Sequence, residues 1–271
     1  MVPALLLVLS AWPADGDSLK ELALPAVKTS TRKVRVFVDA GHGAPDNHGN
    51  TGCYGQQEEE HTRLAARHLA FVLSALGPFE VRLSRDEPGS KYAARIAAAK
   101  AFKADVIVSL HSDARGLARP WWPYHDERMY WWNADAPGFS VLWNDEGTSA
   151  TVAGRERLGR AVGARLREAG FLAYDGYDYS SLYRQDEVEP SGFIDIRPMK
   201  KRVYFLRAAT IPTVIIETHH ALDPEEVARW EETRTLDDFS LAVAAAVLDA
   251  TRPVPVVSGT VQAAPTTTGA R

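Results

Sequence analysis

Short apolar runs alternate with helical patterns along most of the chain, beginning at about Arg32. Four runs are short and bounded by turn residues, which predicts buried strands; they cover Val34–Asp39, Val81–Ser84, Asp105–Leu110 and Thr213–Glu217. Apolar residues at helical spacing predict helices over 58–76, 92–102, 155–169 and 236–250. This alternation predicts an α/β fold, a single three-layer domain in which helices flank a mostly parallel mixed central sheet.

Residues 115–198 depart from this pattern. The segment holds a tyrosine-rich loop and five of the seven tryptophans, which are Trp121, Trp122, Trp131, Trp132 and Trp143. An aromatic, polar stretch beside strand ends is typical of a substrate-facing insertion or lid. The alternatives are a small core built from these aromatics and an autoinhibitory cover, and the sequence leaves all three open. On the 155–169 helix, a basic run favours a solvated face over contact with acidic ligands; it consists of Arg155, Arg157, Arg160, Arg165 and Arg167.

The two ends of the chain differ from its middle. The apolar stretch Val2–Trp12 is about as long as a signal-peptide core and too short to span a bilayer. We therefore expect residues 1–18 to be an export signal, with a buried N-terminal segment as the alternative. Residues 252–271 are rich in proline, threonine and small residues, which predicts a disordered tail. No other stretch is apolar enough to predict a stable membrane span, and a net charge of -4 does not indicate a nucleic-acid binder.

Three predicted strands end in side chains that can bind a metal or move a proton. His42 follows the first strand in VFVDAGHG, His111 follows VIVSL, and Glu217 ends TVIIE. Because the carboxyl ends of parallel strands meet at one edge of a sheet, we expect these side chains to converge. Two imidazoles and a carboxylate suit Zn²⁺, and the single cysteine leaves histidine and carboxylate side chains as its ligands. The candidates for a third ligand open the first predicted helix: Glu58, Glu59 and Glu60.

Each of these features also has a structural explanation. A strand-end histidine is often simply hydrogen bonded, and an acidic run is favourable at a helix start because of the helix dipole. Glu217 could be half of a buried ion pair. The combination favours a site, however, because a carboxylate that ends a buried strand is costly without a metal, a proton or a cation beside it.

Four ordered blocks of the chain resemble the type-3 N-acetylmuramoyl-L-alanine amidases. They are VFVDAGHG, the acidic residue that opens the next helix, RIAAAKAFKADVIVSLHSDA and IPTVIIETHHALDPEE. The resemblance implies that residues 32–250 form a catalytic domain that binds one zinc ion through His42, Glu58 and His111, with Glu217 as the catalytic carboxylate. Counting back from LAFVLSALG selects Glu58, whereas aligning Leu64 with the family's apolar position selects Glu59; we favour Glu58.

Other positions have implied supporting roles. Arg95 matches a family arginine, for which we expect a structural or loop-positioning role. Asp39 is expected to hold the His42 ring, to buttress its loop, or to cap the strand. His219 and His220 are interpreted either as stabilisers of an oxyanion or, preferably, as surface histidines. The chain departs from the family at these two histidines, where a hydrophobic, glycine-containing segment is usual, at Lys100, where asparagine is common, and in the length of the 115–198 segment.

The function implied is zinc-dependent hydrolysis of the amide between N-acetylmuramic acid and L-alanine in peptidoglycan. An exported enzyme in the periplasm or cell envelope would act on the glycan strand and stem peptide, and an activator or targeting protein is a further expectation. The alternatives are a zinc peptidase or deacylase that cleaves another amide, and a catalytically silent wall-binding module.

Overall fold

The computed structural model describes residues 32–124 and 127–251. The predicted export signal and the predicted tail lie outside these residues. The strands are β1 (Val34–Ala40), β2 (Phe79–Leu83), β3 (Val106–Asp113), β4 (Arg119–Trp121), β5 (Tyr130–Trp132), β6 (Ser140–Trp143), β7 (Tyr183–Gln185), β8 (Gly192–Asp195) and β9 (Thr213–His220). The helices are α1 (Glu58–Ala75), α2 (Tyr92–Phe102), α3 (Ser149–Glu168), α4 (Tyr204–Ala208), α5 (Pro224–Trp230) and α6 (Thr233–Thr251).

Seven strands form the central sheet, in the order β2-β1-β3-β9-β6-β8-β7. The pairs from β2 to β9 are parallel, and β6 also pairs with β8 in parallel. The pairs β6–β9 and β7–β8 are antiparallel. The predicted mostly parallel mixed sheet is therefore confirmed, and β9 is the strand at which the sheet changes direction.

Alternating side chains of the strands build a core on each face of the sheet. On β1, Val36 and Val38 join the core formed with α1, α3 and α6, whereas Phe37 packs with Ile96 of α2 and Phe205 of α4 on the opposite face. This alternation follows from the two-residue period of a strand. It produces the predicted three layers, with the sheet between two helical layers.

The aromatic-rich segment 115–198 has two structural parts. β4 and β5 form an antiparallel hairpin outside the central sheet. In contrast, β6, β7 and β8 extend the sheet, and Trp143 of β6 is fully buried in the main core. The aromatic-rich insertion is therefore confirmed, and part of it joins the central sheet through short strands whose pairing partners are distant in sequence.

Helix α3 begins at Ser149, six residues before the predicted start, and the Thr148 side chain caps it by accepting a hydrogen bond from the Thr151 backbone. In the basic run on α3, Arg155 is buried, whereas the other four arginines are partly or fully exposed. Acceptors within the chain bind Arg155, Arg160, Arg165 and Arg167. The predicted solvated face is therefore wrong for Arg155, and the acidic partners of the other arginines, Asp186, Glu189 and Asp249, lie outside the local sequence of the helix. Among the helices of the described residues, none combines the length and apolarity needed to cross a membrane.

Candidate metal centre and catalytic carboxylate

Side chains from β1, β3 and α1 converge at the carboxyl edge of the sheet. Oε1 of Glu58 lies 3.1 Å from Nε2 of His42 and 3.0 Å from Nδ1 of His111. One potential ligand atom from each residue lies within 4.8 Å of those of the other two. The structure therefore brings together the three residues that the sequence predicted as metal ligands.

Two glycines make this close approach possible. A Cβ atom on Gly41 would lie 2.5 Å from Nε2 of His111, and one on Gly49 would lie 2.5 Å from Oε2 of Glu58. His42 itself has a φ of 55°, in the left-handed region that non-glycine residues rarely occupy. Such a conformation costs about 1–3 kcal/mol and persists where the surroundings hold it.

The hydrogen bond of His42 determines which of its nitrogens can bind a metal. Its Nδ1 lies 2.6 Å from Oδ1 of Asn47, and because an amide oxygen only accepts, Nδ1 carries the proton. In the neutral ring, Nε2 then presents a lone pair towards the Glu58 carboxylate. Two acceptors that face each other at 3.1 Å need a proton or a cation between them, and Zn²⁺ favours this set of nitrogen and oxygen donors. The residues present thus fit a zinc ion.

Glu58 is buried at 4% exposure and is held by further donors. Both the backbone and the side-chain nitrogens of Asn50 donate to its Oε2, and the Ser112 backbone donates to its Oε1. Burial opposes the charge of this carboxyl, but the hydrogen bonds with His111 and His42 outweigh burial and lower the pKa of Glu58. Conversely, the pKa of His42 is raised, because its interactions with Glu58 outweigh burial.

The neighbouring glutamates face elsewhere. Oε1 of Glu59 lies 2.6 Å from Nδ1 of His48, and Glu60 is exposed. Of the three acidic residues that open α1, only Glu58 belongs to the cluster found within the described residues. The structure therefore favours Glu58 as the third ligand.

Asp39 does not contact the His42 ring, so that interpretation was wrong. Its carboxylate accepts hydrogen bonds from Ser109 and Arg95. Arg95 in turn donates to the backbone carbonyls of Ala40, at 2.8 Å, and His42, at 2.6 Å. Asp39 thus buttresses the loop through Arg95, and it points away from the ring because it lies on the α2 face of β1.

Glu217 lies on β9, directly opposite His111 in the parallel register. It is outside the His42–Glu58–His111 cluster. Burial, followed by the nearby charge of Asp113, raises the pKa of Glu217 to about 8. Asp113 is itself held by hydrogen bonds from Arg115 and the Tyr179 hydroxyl. The sequence analysis missed this network, although HSD did show a carboxylate two residues after His111.

His219 and His220 are not surface residues. They are 3% and 0% exposed, so the preferred interpretation was wrong; both lie on β9, whose pairing extends to His220. His220 Nδ1 lies 3.2 Å from the Arg115 backbone nitrogen, and burial lowers its pKa to about 4. His219 contacts Thr218 and the Trp230 ring. Asn47 and Asn50 were also missed, and their signal was the concentration of polar residues in the glycine-rich loop.

Residues 36–249 match the family model described as N-acetylmuramoyl-L-alanine amidase. No curated protein matches the chain.

Solved amidase structures share the fold at low sequence identity. The N-acetylmuramyl-L-alanine amidase Ami1 from Mycobacterium smegmatis is 19% identical, with a TM-score of 0.62 over 82% of this chain and 98% of that one. The N-acetylmuramoyl-L-alanine amidase from Clostridium difficile 630 is 20% identical, with a TM-score of 0.58 and coverage of 80% and 96%. AmiC2 of Nostoc punctiforme is 20% identical, with a TM-score of 0.55 and coverage of 79% and 95%. Because the family model matches 36–249 of 271 residues, the chain belongs to the N-acetylmuramoyl-L-alanine amidase family.

Proposed function

We propose that this protein is a zinc-dependent amidase that hydrolyses the bond between N-acetylmuramic acid and L-alanine in peptidoglycan. The observation that carries the proposal is the convergence of His42, Glu58 and His111 beside Glu217 in a chain of this family. When bound, zinc supplies a Lewis acid that polarises a carbonyl group and promotes deprotonation of water near neutral pH. His42, Glu58 and His111 are the residues that would hold the ion.

Glu217 is the proposed proton carrier. A carboxylate oxygen of Glu217 takes the proton of the attacking water and passes it to the amine nitrogen of the departing L-alanine. Burial and Asp113 raise the pKa of Glu217 to about 8, which favours the protonated form, the one that can donate to the amine. A divalent cation beside it favours the carboxylate form instead, and this form is the one that accepts a proton.

We propose that the β4–β5 hairpin contacts the glycan strand. The hairpin packs on the loop that leads to Glu58, since Trp121 Nε1 donates to the Cys53 carbonyl at 2.9 Å. Trp122 and Trp131 remain 60% and 50% exposed. Tryptophan offers a large apolar face on which a sugar ring can stack, so the hairpin extends the site towards the polysaccharide.

The family and the sequence also support proposals for the substrate and for the location of the protein in the cell. Peptidoglycan is the expected partner, and an envelope location follows from it; the export signal and an activator protein stay predictions. A peptidase or deacylase that acts on another amide would share the metal centre and release different products. A silent wall-binding module would bind the sacculus without cleaving it.

The deciding experiment combines metal analysis with mass spectrometry of digested peptidoglycan sacculi. We expect stoichiometric zinc and the release of intact stem peptides with a free L-alanine amine. Glu217→Gln should retain zinc and lower turnover by about 10²- to 10⁴-fold, because it removes the proton acceptor. Glu168→Gln, at an exposed position on α3, is the matched control and should leave both zinc content and turnover unchanged. Full activity in Glu217→Gln, or products cleaved at another amide, would contradict the proposal.

A further inference from the structure

His61, Thr218 and His219 form a hydrogen-bonded trio behind the candidate metal centre. This trio takes no part in the proposed chemistry. The Thr218 hydroxyl lies 2.9 Å from the carbonyl oxygen of His111, 3.0 Å from Nε2 of His61 and 2.9 Å from Nδ1 of His219. A carbonyl oxygen only accepts, so the single hydroxyl hydrogen is directed to His111. Both imidazole nitrogens must therefore carry hydrogens and donate to the hydroxyl oxygen.

Packing keeps both rings of the trio neutral. The His61 and His219 rings meet edge to face at 4.6 Å, and His219 stacks on Trp230 at 5.5 Å. Burial lowers the pKa of His61 to about 4 and that of His219 well below its usual range. A neutral imidazole carries one N–H, so Nε2 of His219 is an acceptor.

His219 reaches a cavity of about 640 Å³ that adjoins the metal centre. Glu58 and Ser112 also line this cavity, so a molecule bound there extends from the candidate metal site. His219 is 3% exposed, and within the described part of the chain its side-chain hydrogen bond is the one from Nδ1 to Thr218. An acceptor that opens on a cavity and has no partner in the surrounding protein can accept a hydrogen bond from a ligand donor.

The cavity wall indicates the kind of donor. Its lining combines apolar side chains, which are Leu64, Phe71, Val227, Trp230 and Leu236, with charged and polar ones that include Glu60, Arg67, His68 and Glu231. A peptide carries N–H donors, aliphatic side chains and charged groups on the same chain, whereas a sugar would place hydroxyl groups against the apolar part of the lining as well. The combination of the His219 acceptor with apolar and charged side chains therefore suits the peptide part of the substrate.

We propose that His219 is a substrate-binding residue, whose Nε2 accepts a hydrogen bond from a backbone N–H of the stem peptide, and that Thr218 positions it by fixing its tautomer. The inference rests on the proposed function for the identity of the substrate. It assigns the role to the Thr218-His219 pair, where this chain departs from the glycine-containing segment usual in the family.

The first test is nuclear magnetic resonance of the full chain with ¹⁵N-labelled histidine. We expect the Nδ1–H form for His219 and the Nε2–H form for His61 near neutral pH. Thr218→Ser keeps the hydroxyl and should preserve both forms, whereas Thr218→Val removes the shared acceptor and should change at least one. A charged His219 ring, or an Nε2–H form in the unsubstituted protein, would refute the inference.

The second test is binding of a synthetic stem tetrapeptide that begins with L-alanine, followed through the His219 Nε2 resonance. We expect this resonance to shift with the tetrapeptide and not with an N-acetylglucosamine–N-acetylmuramic acid disaccharide. His219→Asn retains a donor to Thr218 but has no acceptor at the Nε2 position, and should weaken tetrapeptide binding about threefold to tenfold. His219→Gln places an amide oxygen near that position and should recover part of the affinity.

The outcomes of the binding test separate the two proposals. Three results would overturn the inference: a response to the disaccharide alone, a response to neither probe, or equal tetrapeptide affinities in His219→Asn and the unsubstituted protein. Because product binding needs no turnover, a protein that binds the tetrapeptide but does not cleave sacculi would instead contradict the proposed hydrolysis. In an active enzyme, the loss in kcat/KM of His219→Asn should fall mainly on KM.

Discussion

Each ligand of the candidate metal centre is oriented by a neighbour that binds no metal itself. Asn47 fixes the His42 tautomer through Nδ1, and Asn50 holds the Glu58 carboxylate through two donors. Such outer contacts set the direction of a ligand lone pair and its basicity. The strength of metal binding is therefore distributed over a wider set of residues than the three ligands.

Replacement of Asn47 tests this distribution. Asn47→Ala leaves Nδ1 of His42 without its acceptor, and we expect zinc affinity to fall about 10- to 100-fold. Asn47→Asp retains an acceptor oxygen and should keep most of the affinity. Competition with a chromogenic chelator measures both variants, and an unchanged affinity in Asn47→Ala would show that the loop holds His42 without this bond.

At the scale of elements, the sequence predicted the parts with strong periodicity. The α1 helix begins at the predicted Glu58, and the strands that carry His42, His111 and Glu217 lie next to one another as expected. The short strands β4 to β8 were missed, because a strand of three or four residues has little local pattern and depends on partners that are distant along the chain. The same non-local pairing hid the burial of His220 and the ion pairs of α3.

The β4–β5 hairpin provides a prediction at this scale. Trp122→Ala and Trp131→Ala should each weaken co-sedimentation with insoluble peptidoglycan about threefold to tenfold, because each removes an exposed aromatic face. Tyr177→Ala, which removes an aromatic side chain that is 84% exposed outside the hairpin, is the control. If all three variants sediment alike, the hairpin does not bind the glycan strand.

At the scale of the whole molecule, buried arginines join elements that are distant in sequence. Arg155 of α3 is 2% exposed and donates to the Asn144 side chain beyond β6 and to the Ala209 carbonyl after α4. One side chain thus connects α3, on one face of the sheet, to the end of β6 and to the segment after α4, on the other face. This contact also explains why a basic run on a helix need not face solvent.

Loss of this contact should affect stability rather than chemistry. We expect Arg155→Met to lower the free energy of unfolding by about 2–4 kcal/mol, because it leaves buried acceptors without donors. Arg157→Met, at an exposed position of the same helix, should change it by less than about 0.5 kcal/mol. Urea unfolding measures both, and equal midpoints for the two variants would contradict the assigned role of Arg155.

The strand direction changes at β9, and different parts of the molecule reach the candidate site from the two sides of this strand. On one side of β9, the elements β1, β3 and α1 supply the candidate metal ligands. On the other side, β6 runs antiparallel to β9, and its Ser140 pairs with Glu217. The long connection that carries the hairpin therefore reaches the sheet beside Glu217. We expect insertions or deletions in that connection to leave the register of β1, β3 and β9 intact. A change in the length of this one connection can therefore reshape the surface beside Glu217 without moving the candidate metal ligands.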